Sequence, residues 1–382
     1  MKPLLGSMVI AGALLCQVTG VLAQERRLTR DYLADIVKEA RKKFHVPAIA
    51  VTVMDAEQVY LQIVQGVRRV DGHEDATMED FFHIGSCSKS VLALLAAQLV
   101  EQHKISWQTK FFAVLPELAA DAHEAYRDIT LEDLFLCRAG IKAFTSAALE
   151  PLPQYGPEVS DPRQAFIKNL IAHPPASPRE GTVFRHLYSN AGYTMAAAML
   201  ERVSGLRYEE MVRQLVTNEL GIPLHIGWPN SIGPEQPWGH LLTQGGIESF
   251  PPEHDYKLPV LLTPAGDLSM TPPGFALYTQ RHLRGLRGQD DFLPPAAYQH
   301  QHFGYDGFSL GVANGNWGSQ RYSGFDGSAG TFFCRAIIVP EADFAFTIMT
   351  NAGSGTGTME AVDWLSSRIV KQHFNWWWKF WL

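Results

Sequence analysis

Cysteine is scarce in this chain. Four occur in 382 residues, at positions 16, 87, 137 and 334, and none has C-x-x-C spacing, which argues against a disulfide framework and a thiolate zinc site. Basic blocks are missing as well. Charged residues make up only 19% of the chain and the formal net charge is -7, so nothing supports a nucleic-acid partner. A hydrophobic content of 46% excludes a disordered polymer. There is no repeat of fixed period, and beyond the first 23 residues no stretch is long and apolar enough to span a bilayer. The length suits one large or two intimately packed domains.

Residues 1–23 read as a secretory signal: a positive start at Lys2, an apolar run from Leu4 to Leu15, and a small-residue cleavage site at Val21-Leu22-Ala23. Cys16 follows Leu15 rather than a small residue, so simple export is preferred to lipid attachment. Export leaves Cys87, Cys137 and Cys334, each expected to pack as a small hydrophobe.

The densest chemical signal is Phe81–His103, FFHIGSCSKSVLALLAAQLVEQH. If a helix begins near Ser86, Lys89 stands one turn further on the same face, within reach of the serine hydroxyl. A serine needs an adjacent base to become a nucleophile, and a lysine is a base only where burial or nearby cations depress its pKa. The apolar run from Val91 to Val100 promises that burial. Serine is also a common helix cap, so the S-x-x-K pattern alone leaves both readings open.

Around this stretch, Leu28–Phe44 has helical periodicity with Thr29 or Asp31 as cap. Pro47–Met54 and Val59–Val64 read as a β-hairpin. From Ile105 to about Asp291, helical pieces alternate with proline-rich loops. These pieces include Leu131–Leu136, Tyr193–Val203 and Tyr208–Leu220. The tail returns to strands at Phe308–Ala313, Arg321–Phe325, Thr331–Val339 and Phe344–Thr350, with a turn at Asn314-Gly315 and a closing helix at Thr358–Gln372. The expected architecture is α/β of the α+β kind, an antiparallel sheet built from both termini and flanked by helices, with a mostly helical insertion. The boundaries are a signal at 1–23, a discontinuous sheet domain at 24–90 and 305–373, a helical domain at 91–304, and a Trp-rich tail at 374–382.

Tyr188-Ser189-Asn190 precedes the helix at Tyr193. A tyrosine beside Lys89 would share a proton with it, and the neighbouring positive charge would lower the phenol pKa. The alternative is a loop tyrosine packing its ring. His300 and His302 lie in a polar, aromatic stretch read as a loop with no third ligand, and Gly353–Gly357 reads as a tight turn rather than a nucleotide loop. No metal or cofactor is expected.

Taken in order, F-x-I-G-S-C-S-K-S at 82–90, LFLCRAG at 134–140, LYSNAGY at 187–193, PAGDL at 264–268 and GFDGS at 324–328 resemble the β-lactamase-related serine hydrolases. That family includes class C β-lactamases, D-alanyl-D-alanine carboxypeptidases and esterases on the penicillin-binding-protein-like fold. The resemblance runs from about Leu28 to the closing helix. It implies Ser86 as acyl-forming nucleophile, Lys89 as its proton partner and Tyr188 as acid/base. Asn190 would orient Lys89 and the substrate, and the backbone N–H groups of Ser86 and Ser328 would form the oxyanion hole. The third motif commonly opens with lysine or histidine, whereas here Phe325-Asp326-Gly327 stands in its place, so the resemblance implies that Phe325, Asp326, Gly327 and Ser328 are substrate-binding residues. The missing cation would bind a substrate carboxylate, so the substitution favours an ester or small amide over a β-lactam or peptidoglycan peptide. Some esterases of this family also lack the basic residue. Arg321 and Arg335 are candidate substitutes. A silent binding protein on the same fold is the rival of another class.

The last nine residues crowd Phe374, Trp376, Trp377, Trp378, Phe380 and Trp381 around Lys379. Aromatic-rich ends favour the membrane interface. The alternative is packing on the domain or a partner. If the four tryptophans make a peripheral membrane contact, deleting residues 374–382 lowers co-sedimentation with lipid vesicles severalfold; unchanged partition excludes it.

Overall fold

The computed structural model describes residues 28–145, 150–243, 246–290 and 292–376. The expected signal at 1–23, together with Trp377, Trp378 and Trp381, lies outside the described residues. A central antiparallel sheet takes two strands from the early chain, β1 (Ala48–Met54) and β2 (Val59–Gly66). Four come from the late chain: β3 (Ala313–Trp317), β4 (Gln320–Ser328), β5 (Phe333–Val339) and β6 (Phe344–Thr350). Their order is β3-β4-β5-β6-β1-β2, so the first strand of the chain pairs with the last and closes the sheet across the sequence.

Every residue of β1 and β6 is buried, because both faces of the sheet are covered. Side chains alternate across the pleat. Ile49, Val51 and Val53 join a core with α1 (Arg30–Phe44) and the closing helix, while Ala50 and Met54 face the helical half. Thr29 caps α1 by accepting a hydrogen bond from the Tyr32 N–H at 3.2 Å.

On the other side lie α2 (Ser88–Glu101), α3 (Asn190–Ser204), α4 (Pro272–Leu286) and α5 (Pro295–Phe303); the closing helix is α6 (Thr358–Phe374). The middle of the chain also carries a small sheet formed by Phe82–His83, Leu268–Met270 and Leu224–Ile226.

Several expectations need correction. Ser86 lies in a 3-10 turn, Gly85–Cys87, and the α-helix proper starts at Ser88. Helix α3 begins at Asn190 rather than Tyr193 because Ser189 is its cap, accepting from the Gly192 N–H at 2.9 Å. After Tyr208–Val212 the helix widens into π-type turns over Arg213–Glu219. Asn314-Gly315 is inside β3, not a turn. The Asn314 amide donates to the carbonyls of His302 and Tyr305, Gly315 leaves room for the Tyr322 hydroxyl, and the reversal falls at Gly318, which has φ +67°. Phe308 makes only a single bridge to Ala313. His300 and His302 are on α5, where His302 is fully buried between His282 and Ser323. Among the described tail residues, Phe374 and Trp376 stack with ring centres 4.4 Å apart, and Phe374 packs edge-on against Phe344.

The sheet reaches the turn at Ser86 through two glycines. A Cβ on Gly327 would lie 1.9 Å from the Ile84 carbonyl oxygen, and one on Gly85, at φ +49°, would lie 2.8 Å from the Ser328 nitrogen. Backbone must therefore touch backbone here, which only glycine permits. Gly327→Ala is expected to lower the unfolding free energy by about 3 kcal/mol in urea denaturation. A loss under about 0.5 kcal/mol would show that the contact is dispensable.

Candidate active site

Ser86 sits at the junction of the two halves and is partly exposed, whereas Lys89 is 1% exposed. The short turn preserves the three-residue offset, and Lys89 Nζ lies 3.1 Å from Ser86 Oγ. Two further oxygens hold the amine, Asn190 Oδ1 and the Ala265 carbonyl, each at 2.7 Å. The rings of Tyr188 and Tyr193 flank it at 4.8 and 5.3 Å. Burial lowers the Lys89 pKa from 10.5 to about 7, with Cys137 and Cys87 opposing the shift. The three oxygens accommodate both protonation states. An ammonium donates to all three, while a neutral amine donates to Asn190 and Ala265 and turns its lone pair to the serine O–H.

Each partner has its own support. Asn190 opens α3; its side-chain amide donates to the Phe144 carbonyl and its backbone N–H to the Ala143 carbonyl, both at 2.8 Å. Ser189 Oγ donates to the Lys142 carbonyl at 2.7 Å. The segment 142–144 is thus clamped to the start of α3, and this holds Phe144 at φ +49°, a conformation costly for a bulky side chain. Ala265 comes from the PAGDL segment.

The same segment supplies Asp267, which stands 3.1 Å from His83 Nε2, while His83 Nδ1 accepts the Gly85 N–H at 3.1 Å. With Nδ1 accepting, the ring proton is assigned to Nε2, facing Asp267. This pair fixes the backbone immediately before Ser86. Residue types alone did not mark it as a site, although the PAGDL motif pointed to its neighbourhood.

Tyr188 is half-buried, and its hydroxyl interacts with that of Ser86. Here the expectation is reversed. Desolvation drives the phenol pKa above its ordinary value, outweighing the Ser86 hydrogen bond, so at neutral pH the phenol keeps its proton.

On β4, the structure brings only backbone to the site. The Ser328 backbone lies against Gly85, the residue before Ser86. Phe325, proposed from sequence as a substrate-binding residue, is instead 2% exposed and packs among the rings of Tyr278, His282 and His302. Asp326, proposed likewise, points to the opposite face, where Arg335 donates to it through Nε at 2.7 Å and to Asp363 through Nη1 at 2.6 Å. Arg335 is therefore committed elsewhere. Arg321 is paired with Glu341 at 2.7 Å, so neither arginine replaces the missing cation. Cys87 is a buried free thiol near the Phe325 carbonyl at 3.6 Å, and burial pushes its pKa up. Among the described residues no three metal-ligating side chains cluster.

A helical half packed on an antiparallel sheet, with serine, lysine and tyrosine meeting at the seam, is the arrangement of the penicillin-binding-protein-like fold. The chain belongs to the Beta-lactamase family, whose model matches residues 33–368 and whose members are serine hydrolases. Penicillin-binding protein 4 of Amycolatopsis lactamdurans is 24% identical over 340 residues, spanning 83% of this chain and 84% of that protein. Unguisins hydrolase of Aspergillus violaceofuscus is 24% identical over 193 residues; the match takes in 49% of this chain and only 32% of that protein. The D-alanine carboxypeptidase AmpC from Burkholderia cenocepacia shares the fold at TM-score 0.69 and 18% identity, over 89% of this chain and all of that one (100%).

Because the Lys89 amine is freed as pH rises through about 7, the rate of Ser86 phosphonylation is expected to rise across that value and then level. Lys89→Arg should abolish the limb. A rate independent of pH between about 5 and 9 would remove Lys89 from the proton path.

Proposed function

We propose that the protein is an exported serine hydrolase that forms an acyl-enzyme at Ser86 and acts on an ester or small amide. The supporting observation is the buried Lys89 amine, 3.1 Å from Ser86 Oγ and fixed by Asn190 and Ala265. Ser86 Oγ attacks the substrate carbonyl as its proton passes to neutral Lys89. The N–H groups of Ser86 and Ser328 receive the developing oxyanion. Tyr188 gives its proton to the departing oxygen or nitrogen and regains one from the Lys89 ammonium, so the pair acts as one titrating unit. Water then attacks the acyl carbonyl and gives its proton to neutral Lys89. Tyr188 protonates the departing Ser86 Oγ and regains a proton from Lys89, and the acid product leaves.

A true β-lactamase or D-alanyl-D-alanine carboxypeptidase is the alternative, favoured by the penicillin-binding protein 4 relative. Against it stands the buried Phe325, with no replacement cation from Arg321 or Arg335. A silent binding protein would require the Ser86 and Lys89 geometry to be idle.

Ser86→Ala should eliminate adduct formation and reduce turnover of a p-nitrophenyl ester by at least about 10⁴-fold, and Tyr188→Phe should reduce it by about 10² to 10⁴-fold. Intact-mass detection with esters, a cephalosporin and a D-alanyl-D-alanine peptide side by side separates the readings. Faster turnover of the cephalosporin or peptide would favour the alternative, and no adduct with any of them would favour the silent scaffold.

A further inference from the structure

Lys257 lies in the loop after Phe250, and its Nζ is shielded from solvent with no hydrogen-bond partner among the described residues. It sits over the Trp228 ring, 5.8 Å from the centre. Burial lowers its pKa, while Glu253 and Asp267 pull it back upward. Neither acid closes a hydrogen bond on it, and Asp267 is turned to His83. A shielded ammonium without an acceptor is costly unless an anion completes it.

The loop stands at one end of the catalytic strand. The Tyr256 hydroxyl abuts Gly330, where a Cβ would lie 1.8 Å from it. Leu258 covers Gly266, whose added Cβ would lie 3.7 Å from that side chain and 3.6 Å from Gly85. Trp228 packs against His83 with ring centres 4.2 Å apart and planes tilted by 42°, and donates its indole N–H to Thr331 Oγ1 at 3.1 Å. Lys257, Trp228 and Tyr256 therefore gather beyond Ser328, on the Gly330 side.

Tyr188 marks the opposite end. Its ring is 6.1 Å from that of Phe308, which bridges Ala313, and Ala313 pairs with Gly324 next to Phe325. If a leaving group protonated by Tyr188 departs toward the Phe325 end of the strand, the acyl portion lies toward Gly330. Resting on the reading of Ser86 as the acyl-forming nucleophile, we propose that Lys257 receives a carboxylate carried on the acyl portion of the substrate, with Trp228 and Tyr256 as the walls of its pocket. The preferred substrates are then half-esters or half-amides of dicarboxylic acids, with recognition of charge on the acyl side and none on the leaving side.

The test compares p-nitrophenyl hemisuccinate, hemiglutarate and hemiadipate with the neutral butyrate, pentanoate and hexanoate esters. At one chain length or more the wild type should favour the anionic ester in kcat/KM. Lys257→Met, which keeps the stem, should cut that anionic-to-neutral ratio at least about tenfold, the value of one charge-assisted contact, through KM. Lys257→Arg should retain the preference. A ratio near one in the wild type at every length overturns the proposal, as does a parallel fall of both ester classes in Lys257→Met, which would make the lysine a prop for the loop. A second arm does not need turnover: glutarate should raise the melting temperature of Ser86→Ala and not that of Ser86→Ala/Lys257→Met. If no ester is turned over, the ester-hydrolase reading fails and this arm alone decides the anion pocket, an equal shift in both variants overturning it. Turnover without anion preference sinks only the pocket.

Discussion

The buried amine of Lys89 is the constraint on which the rest of the site depends. A fall in its pKa from 10.5 to about 7 represents roughly 5 kcal/mol against the charged form, a large fraction of the stability of a typical domain. Such a cost persists only where the surroundings over-determine the group. Here three segments distant in sequence each bring one oxygen to Nζ: the turn at Ser86, the first residue of α3, and the Ala265 carbonyl. The helical half must pack in one way for these to coincide, and the pKa near 7 is the chemical return on that packing. An exposed lysine at the same spacing would be almost wholly protonated at neutral pH and could not take a serine proton.

Ser86 itself is held by backbone rather than by side-chain bulk. His83 bonds the Gly85 N–H from one side, and β4 presses on the same turn from the other, at Gly85 and Gly327. The small sheet with its His83–Asp267 pair and the large sheet with its glycine contact therefore converge on one 3-10 turn. This gives the turn two independent supports, one polar and one steric. It also explains why Asp267, with no contact to Ser86 described, belongs to the same structural unit as Ser86.

Much of this was legible in the sequence, and the reason differs from residue to residue. The strands at both ends and the packing of α1 followed from periodicity, because a sheet covered on both faces and a helix covered on one leave different patterns of apolar residues. Ser86, Lys89, Tyr188 and Asn190 were found because their motifs are short and contiguous. Ala265 and the 142–144 segment act through carbonyl oxygens, which every residue possesses, so no side-chain pattern could single them out. The direction of the Tyr188 shift was also hidden: a nearby amine and burial act oppositely on a phenol, and sequence does not show which is larger. The turn at Asn314-Gly315 failed because Asn314 and Gly315 are also useful inside a strand, the one for its amide and the other for its missing side chain.

The geometry of β4 explains why the loss of a basic side chain need not empty the site of specificity. Successive side chains on a strand point to opposite faces, so Phe325 and Gly327 turn to the helical half while Asp326 turns to α6. At Gly327 no side chain fits, and at Phe325 a ring fills the core among Tyr278, His282 and His302. Asp326 is neutralised by an arginine on the neighbouring strand. What β4 offers a substrate is then its backbone, which recognises a carbonyl but carries no charge of its own. On the proposed reading, discrimination between substrates comes from segments that rise beside the strand, at Phe308 on one end and at Tyr256 and Lys257 on the other. The charge offered to a substrate, on that reading, sits not at a rigid sheet position but on a loop, where its length and chemistry can change without disturbing Ser86.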